Sequence, residues 1–238
     1  MSELGNAEIL QPEGGYRYSL DPFLLADFVE TKKSSNLIDL GTGNGILPIL
    51  LVKSLSETRF VGIDIQRPPL LYARKNAPFA TFIQGDIRQA STMFKPESFD
   101  IIVSNPPYRK LNSGKINRSH EIAIARHEIK LTLSELVASA SHLLEEGGIF
   151  YFCHLAARSR EAYLELQRAG FGVNKVRYVQ SRSGETPFLV MLQAIKGAES
   201  NETVIPPLTV YRADNNYTDE MLSIYDRLRI QAPVSRNA

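Results

Sequence analysis

The 238-residue chain has one cysteine, no tryptophan and almost no net charge. A single cysteine excludes an internal disulfide and a cysteine-built zinc cluster. The four histidines, His120, His127, His142 and His154, show no metal-ligand spacing, so no metal is expected. No uninterrupted apolar run approaches the roughly 20 residues that span a bilayer. The first thirty residues hold no basic segment leading into an apolar run. A soluble, cytoplasmic protein with no membrane partner is therefore expected. The balance of 27 basic against 26 acidic residues, a net +1, excludes a generally basic nucleic-acid coat. It does not exclude a local basic patch. Repeats and low-complexity tracts are also missing.

The rest of the composition is that of an ordinary globular chain, 43% apolar and 22% charged. From Asn36 onward, short β-rich runs alternate with helical spacing. Strands are expected at Asn36 to Leu40, Arg59 to Ile65, Ala80 to Gln84, Phe99 to Ser104 and Ile149 to His154. Helical crossovers are expected at Ile46 to Leu55, through Leu70, Leu71 and Ala73, and over the long periodic stretch Glu121 to Leu144. This rhythm predicts an α/β fold, a parallel sheet covered on both faces. Val173 to Gln180 and Pro187 to Ile195, joined by a polar turn, predict a C-terminal antiparallel hairpin. Asp21-Pro22 predicts a helix start, with Asp21 as cap and Phe23 to Glu30 following. Gly197 to Asn201 reads as a linker, Thr218 to Arg227 as a short helix and Gln231 to Ala238 as a frayed end. The expected division is an N-terminal segment 1–35, a core 36–196 and a C-terminal extension 197–238 packed on the core.

Asp39-Leu40-Gly41-Thr42-Gly43-Asn44-Gly45 closes the first strand and opens a helix. Glycines at this turn let a ligand approach the main chain. The spacing is not the dinucleotide G-x-G-x-x-G. A carboxylate at the strand end repels a pyrophosphate but suits a ligand carrying an ammonium and a sulfonium, as S-adenosylmethionine does. A tight turn with no ligand explains the glycines less well than the coincidence of acid and glycines. Asp64 ends the second strand, at the spacing of acids that accept from ribose hydroxyls. Asp86 follows the third strand, placed to accept from an adenine amino group with Ile87 packing on the ring. Three acids at successive strand ends point to one crevice at the carboxyl edge of the sheet.

The fourth strand ends in Ser104-Asn105-Pro106-Pro107-Tyr108. Each proline fixes φ and holds the preceding residue extended. The loop thus presents the Asn105 side-chain oxygen and the Pro106 carbonyl as rigid acceptors, with Tyr108 as a stacking face. Those are the groups an exocyclic amine needs. Its lone pair is delocalised, and accepting both N–H bonds draws the nitrogen toward a nucleophilic geometry.

Taken in order, these motifs resemble those of class I S-adenosylmethionine-dependent methyltransferases acting on exocyclic nitrogen, over roughly Tyr16 to Ile195. The resemblance implies a Rossmann-like seven-stranded sheet with a C-terminal antiparallel hairpin. The Asn-Pro-Pro-Tyr variant is shared by adenine-N6 methyltransferases of DNA and RNA and by glutamine-N5 methyltransferases of release factors. Tyr16 to Ala26, the stretch EIAIARH from Glu121 to His127, and the tail Tyr211 to Thr218 are similar to the bacterial tRNA(adenine-37-N6) methyltransferase family. In that family the first of these segments closes the cofactor pocket. The resemblance implies S-adenosylmethionine held by Tyr18, Asp21, Asp39, Gly41, Thr42, Gly43, Gly45, Asp64, Ile65, Asp86, Ile87 and Asn105, with S-adenosylhomocysteine as product. It implies the target adenine at Asn105, Pro106, Pro107 and Tyr108. Arg67-Pro68-Pro69 departs from the helix opening expected after the second acid.

A tRNA partner should leave an electrostatic trace. Between Asn105 and Lys130, six basic residues face two acids, a local +4. Arg109, Lys110, Lys115, Arg118 and Arg126 are the candidate RNA contacts; a merely solvated polar loop is the plainer reading. Two other functions stay open. A protein glutamine methyltransferase uses the same catalytic loop, although no extra N-terminal docking domain is recognisable. A non-catalytic RNA-binding module would not need both loops intact. The oligomeric state is left open, a monomer being compatible with the sequence.

Overall fold

The structure, a computed structural model, describes residues 10, 19–30, 36–55, 57–106 and 131–228. In chain order the elements are α1 (Asp21–Phe28), β1 (Asn36–Leu40), α2 (Ile46–Leu51), β2 (Arg59–Asp64), α3 (Arg67–Asn76), β3 (Thr81–Gln84), α4 (Ala90–Met93), β4 (Phe99–Ser104), α5 (Leu133–Leu143), β5 (Leu144–Leu155), α6 (Ser159–Arg168), β6 (Phe171–Gln180), β7 (Leu189–Lys196), β8 (Thr203–Thr209) and α7 (Asp219–Leu228). The strands form one sheet in the order β3-β2-β1-β4-β5-β7-β6-β8. β1 to β5 run parallel, and β7 runs antiparallel between β5 and β6. The expected hairpin is therefore present. The order reverses at β1/β4, so a crevice opens at the carboxyl ends of those two strands.

Alternating side chains divide the apolar residues between the two faces. One cluster joins α1, α2 and α7 through Leu24, Leu25, Leu47, Leu50, Ile224 and Tyr225 to Leu37, Val103, Tyr151 and Cys153 of the sheet. The other joins α5 and α6 through Leu136, Val137, Ala140 and Leu166 to Ile38, Leu40, Ile102 and Phe152. No helix among the described residues is long and apolar enough to cross a membrane.

Four differences from the sequence expectations have local causes. Of the helix expected over Glu121 to Leu144, residues 121–130 lie outside the described residues, and the described part is helical from Leu133. Thr132 is the N-cap of that helix and closes a capping box, its Oγ1 accepting from Glu135 N–H (3.2 Å) while Glu135 Oε2 accepts from Thr132 N–H (2.8 Å). Asp21 is the first helical residue of α1 and not its cap. Leu20 caps instead, its carbonyl accepting from Phe23 and Leu24. Arg67-Pro68-Pro69 is an ordinary opening for α3, because first-turn prolines lack only N–H groups that have no helical acceptor.

The fourth difference is an eighth strand. β8 lies parallel to β6 at the sheet edge. Pro206-Pro207 disguise it in sequence. They sit where the pairing slips, between Arg177↔Ile205 and Val179↔Leu208, and Arg177 Nε donates to the Pro206 carbonyl (3.1 Å). An edge bulge is where a strand tolerates proline.

Candidate active site

The glycine loop leaves β1 and is pinned to the neighbouring strand. Gly41 N–H and Thr42 N–H both donate to the Ile63 carbonyl (2.9 and 3.0 Å). Gly41, Gly43 and Gly45 all have positive φ, at 82°, 53° and 77°. They serve two purposes. A Cβ at Gly41 or Gly43 would meet nothing within 4 Å, so the backbone borders open space there. A Cβ at Gly45 would stand 3.1 Å from both Ala73 Cβ and Phe82 Cζ, so Gly45 lets α2 lie close to α3 and β3.

Two acids face this loop. Asp64 binds it directly: its Oδ2 accepts from Gly43 N–H (2.9 Å) and its Oδ1 from Gln66 N–H (2.8 Å). Burial raises the Asp64 pKa, and these amides oppose the shift. Asp39, paired between Gly62 and Val103 and 1% exposed, is in a different position. Burial pushes its carboxyl up to about 7; the Thr42 hydroxyl offsets part of that, and the nearby Asp64 adds to it. Neither Asp39 Oδ1 nor Thr42 Oγ1 completes a hydrogen bond of sound geometry. A buried carboxylate oxygen without a partner is unfavourable unless a cation or donor meets it.

Asp86 lies further along the same edge. Its carboxylate caps the turn Ile87–Gln89 through Arg88 N–H and holds the Arg88 guanidinium at both oxygens. Any ligand amine would share Asp86 with that arginine. Ile87 is buried in the core cluster containing Leu40 and Ile63. Ile65 offers its carbonyl to Gln84 Nε2 (3.4 Å).

The motif after β4 is tied to the glycine loop. Ser104 Oγ donates to the Leu40 carbonyl (2.6 Å), joining the last residue of β4 to the last of β1. Asn105 is half-buried and Pro106 buried. The Cys153 thiol donates to Asn105 Oδ1 (2.9 Å). Asp21 is buried at the start of α1, in the electrostatic neighbourhood of Cys153. The structure thus gathers Asp21, Asp39, the glycines, Thr42, Asp64 and Asn105 at the carboxyl edge on and beside β1. Tyr18, Pro107, Tyr108, Arg109, Lys110, Lys115, Arg118 and Arg126 lie outside the described residues.

Sequence reading did not reach Arg88, Cys153 or Asn76. Asn76 Nδ2 donates to the Asn44 carbonyl of the glycine loop (3.1 Å) and to the Leu10 carbonyl (3.0 Å). These are contacts across 32 to 66 residues, with no local pattern to betray them.

A sheet in this order, with an acidic glycine turn at its switch point, defines a class I methyltransferase fold. The chain belongs to the methyltransferase domain family, whose profile matches residues 31–184. Among curated relatives, the tRNA1(Val) (adenine(37)-N6)-methyltransferase of Phocaeicola vulgatus is 26% identical over 208 residues, covering 86% of each chain. The protein of the same name from Actinobacillus succinogenes is 28% identical over 211 residues, again 86% of each. Among solved structures, one described as a predicted O-methyltransferase from Agrobacterium tumefaciens superposes with a TM-score of 0.71 at 18% identity, over 92% of this chain and all of that one. At that identity the superposition speaks for the fold alone.

The residues present fit a sulfonium-bearing methyl donor. Asp39 offers a buried oxygen with no partner, and Gly41 and Gly43 leave open space beside it.

Proposed function

We propose that this chain transfers the methyl group of S-adenosylmethionine to the exocyclic N6 of an adenine in tRNA, at position 37, in the cytoplasm. The observation that carries the reading is the agreement of site and relatives. A buried Asp39 oxygen without a partner and an Asn105 acceptor share one sheet edge, in a chain aligned over 86% of its length with tRNA adenine-N6 methyltransferases.

S-adenosylmethionine, when bound, supplies an electrophilic methyl on a sulfonium and leaves as S-adenosylhomocysteine. The chain does the rest by positioning. Asp39 neutralises a positive charge of the donor, and Gly41 and Gly43 let it reach the main chain. Asp64 holds the glycine turn in shape through Gly43 N–H and offers its remaining lone pairs to hydroxyl groups. The acceptors of the target amine are Asn105 Oδ1 and the Pro106 carbonyl, aligned by the stiffness of the Pro106-Pro107 loop, while Tyr108 stacks on the base. With both N–H bonds accepted, the N6 lone pair is free to attack, and the displaced proton passes to solvent. Arg109, Lys110, Lys115, Arg118 and Arg126 hold phosphates, and an unpaired loop adenine is cheap to extrude.

The test is incubation with methyl-labelled S-adenosylmethionine and either unmodified tRNA or a release factor, followed by mass spectrometry of nuclease-derived tRNA oligonucleotides or of release-factor peptides. N6-methyladenosine at position 37 is expected. Label in the release factor alone would transfer the reading to glutamine, and binding of tRNA without methyl-donor binding would leave an RNA-binding module.

A further inference from the structure

The contact between Cys153 and Asn105 joins two residues 48 positions apart. β4 and β5 pair with Ser104 opposite Phe152, so the next step along both strands brings Asn105 beside Cys153. Cys153 lies on the sheet face of Tyr151, under α1, and is fully enclosed. We propose that Cys153 is a positioning residue for Asn105, its thiol fixing the orientation of the amide whose oxygen accepts from the substrate amine. This rests on the methyl-transfer reading above.

The chemistry of the contact supports the role. An asparagine amide is nearly symmetric in shape, and its two ends have opposite hydrogen-bonding sense. A donor on one side selects the orientation with the oxygen toward it. Oδ1 has two lone pairs, so one bond from the thiol leaves another for substrate. Burial and the neighbouring Asp21 raise the thiol well above its ordinary pKa, so sulfur keeps the proton it donates. A thiol is a weak donor, but a dry site strengthens it, and sulfur fits among apolar neighbours where a hydroxyl would demand a second partner.

Cys153→Ala and Cys153→Val remove the donor, the second while filling the volume; Cys153→Ser restores it. Measured as tRNA methylation, kcat should fall roughly tenfold in the Ala and Val variants, the scale of a lost alignment of reacting groups. The Ser variant should stay within about threefold of the parent, because a hydroxyl offers the same hydrogen bond, and the S-adenosylmethionine Kd should stay within about twofold in all three, because Cys153 bonds Asn105 and not the glycine turn. Full kcat in Ala and Val, a Ser variant as slow as Ala, or an equal loss of donor affinity would each overturn the proposal. A second readout does not depend on the substrate. The Asn105 side-chain amide, observed by 15N NMR and assigned with Asn105→Asp, should shift or broaden in Ala and Val but not in Ser. An unchanged signal throughout also overturns it. If the parent methylates no tRNA while the amide responds as described, the substrate reading fails and the positioning role stands.

Discussion

Replacing Asp39 with asparagine separates the site's contribution to stability from its contribution to binding. The Asp39 carboxyl is fully enclosed, and its pKa rises from 3.8 to about 7. At 1.36 kcal/mol per unit, the ionised form disfavours the empty folded state by up to roughly 4 kcal/mol. Local relaxation and water entry reduce such penalties, so about 2 kcal/mol is the expected effect. Between pH 3.8 and about 7 the folded chain keeps a proton that the unfolded chain has lost. Stability from this group therefore falls as pH rises through that window and is level above it. Asparagine carries no such proton. At pH 8 Asp39→Asn should melt roughly 4–8 °C above the parent, and the gap should close by pH 4. Added S-adenosylmethionine should reverse the order, because the parent carboxylate gains a cation and asparagine does not. Scanning calorimetry from pH 4 to 8.5, with and without donor, reads both effects. An asparagine variant equal to or below the parent at pH 8 without donor would refute the account of Asp39 as a buried charge awaiting a cation.

Asn105→Ala should reduce methyl transfer to near background while calorimetry finds donor affinity nearly intact; an equal loss of both would make Asn105 chiefly a cofactor residue. Gly45→Ala should lower stability by about 2–4 kcal/mol in denaturant titration, from positive-φ strain plus contact with Ala73 and Phe82. Gly43→Ala, with open space above it, should lose only about 1 kcal/mol of stability but weaken donor binding; the opposite pattern would exchange the roles assigned to the two glycines. Thr132→Ala should remove about 1 kcal/mol by opening the capping box of α5, and no change in the denaturation midpoint would contradict it.

What the sequence made legible follows from locality. Asp39 to Gly45 and Ser104 to Tyr108 are contiguous, and each announces its chemistry through backbone demands that only glycine or proline meets. The strands β1, β2 and β4 were readable because central parallel strands are largely apolar. β8 was not, because an edge strand may carry Pro206-Pro207 at a bulge and looks like a loop. The start of α5 was hidden for the reverse reason. Apolar spacing runs on through Thr132, and only the pairing of Thr132 with Glu135 marks the boundary. Cys153 is fully buried in a strand, as a small apolar residue would be. Its bond to Asn105 depends on the register of β4 against β5, and no residue near Cys153 encodes that register.

Reactions accelerated by positioning require that the donor half and the acceptor half of a site keep a fixed separation. Here the first hangs from β1 and the second from β4, and Ser104 Oγ spans the ends of the two strands. Ser104→Ala removes that donor from a fully enclosed place and leaves the Leu40 carbonyl one bond short, so stability should fall by about 1–2 kcal/mol. Gly41, Thr42 and Gly43 keep their bonds to Ile63 and Asp64 of β2, so donor affinity should stay within about twofold of the parent. The acceptor loop loses its tie to β1, and kcat should drop by roughly tenfold. Measured together on one preparation, these three quantities separate a junction between half-sites from a simple core residue. A variant that loses stability with kcat unchanged would mean the β1–β4 backbone ladder alone sets the separation.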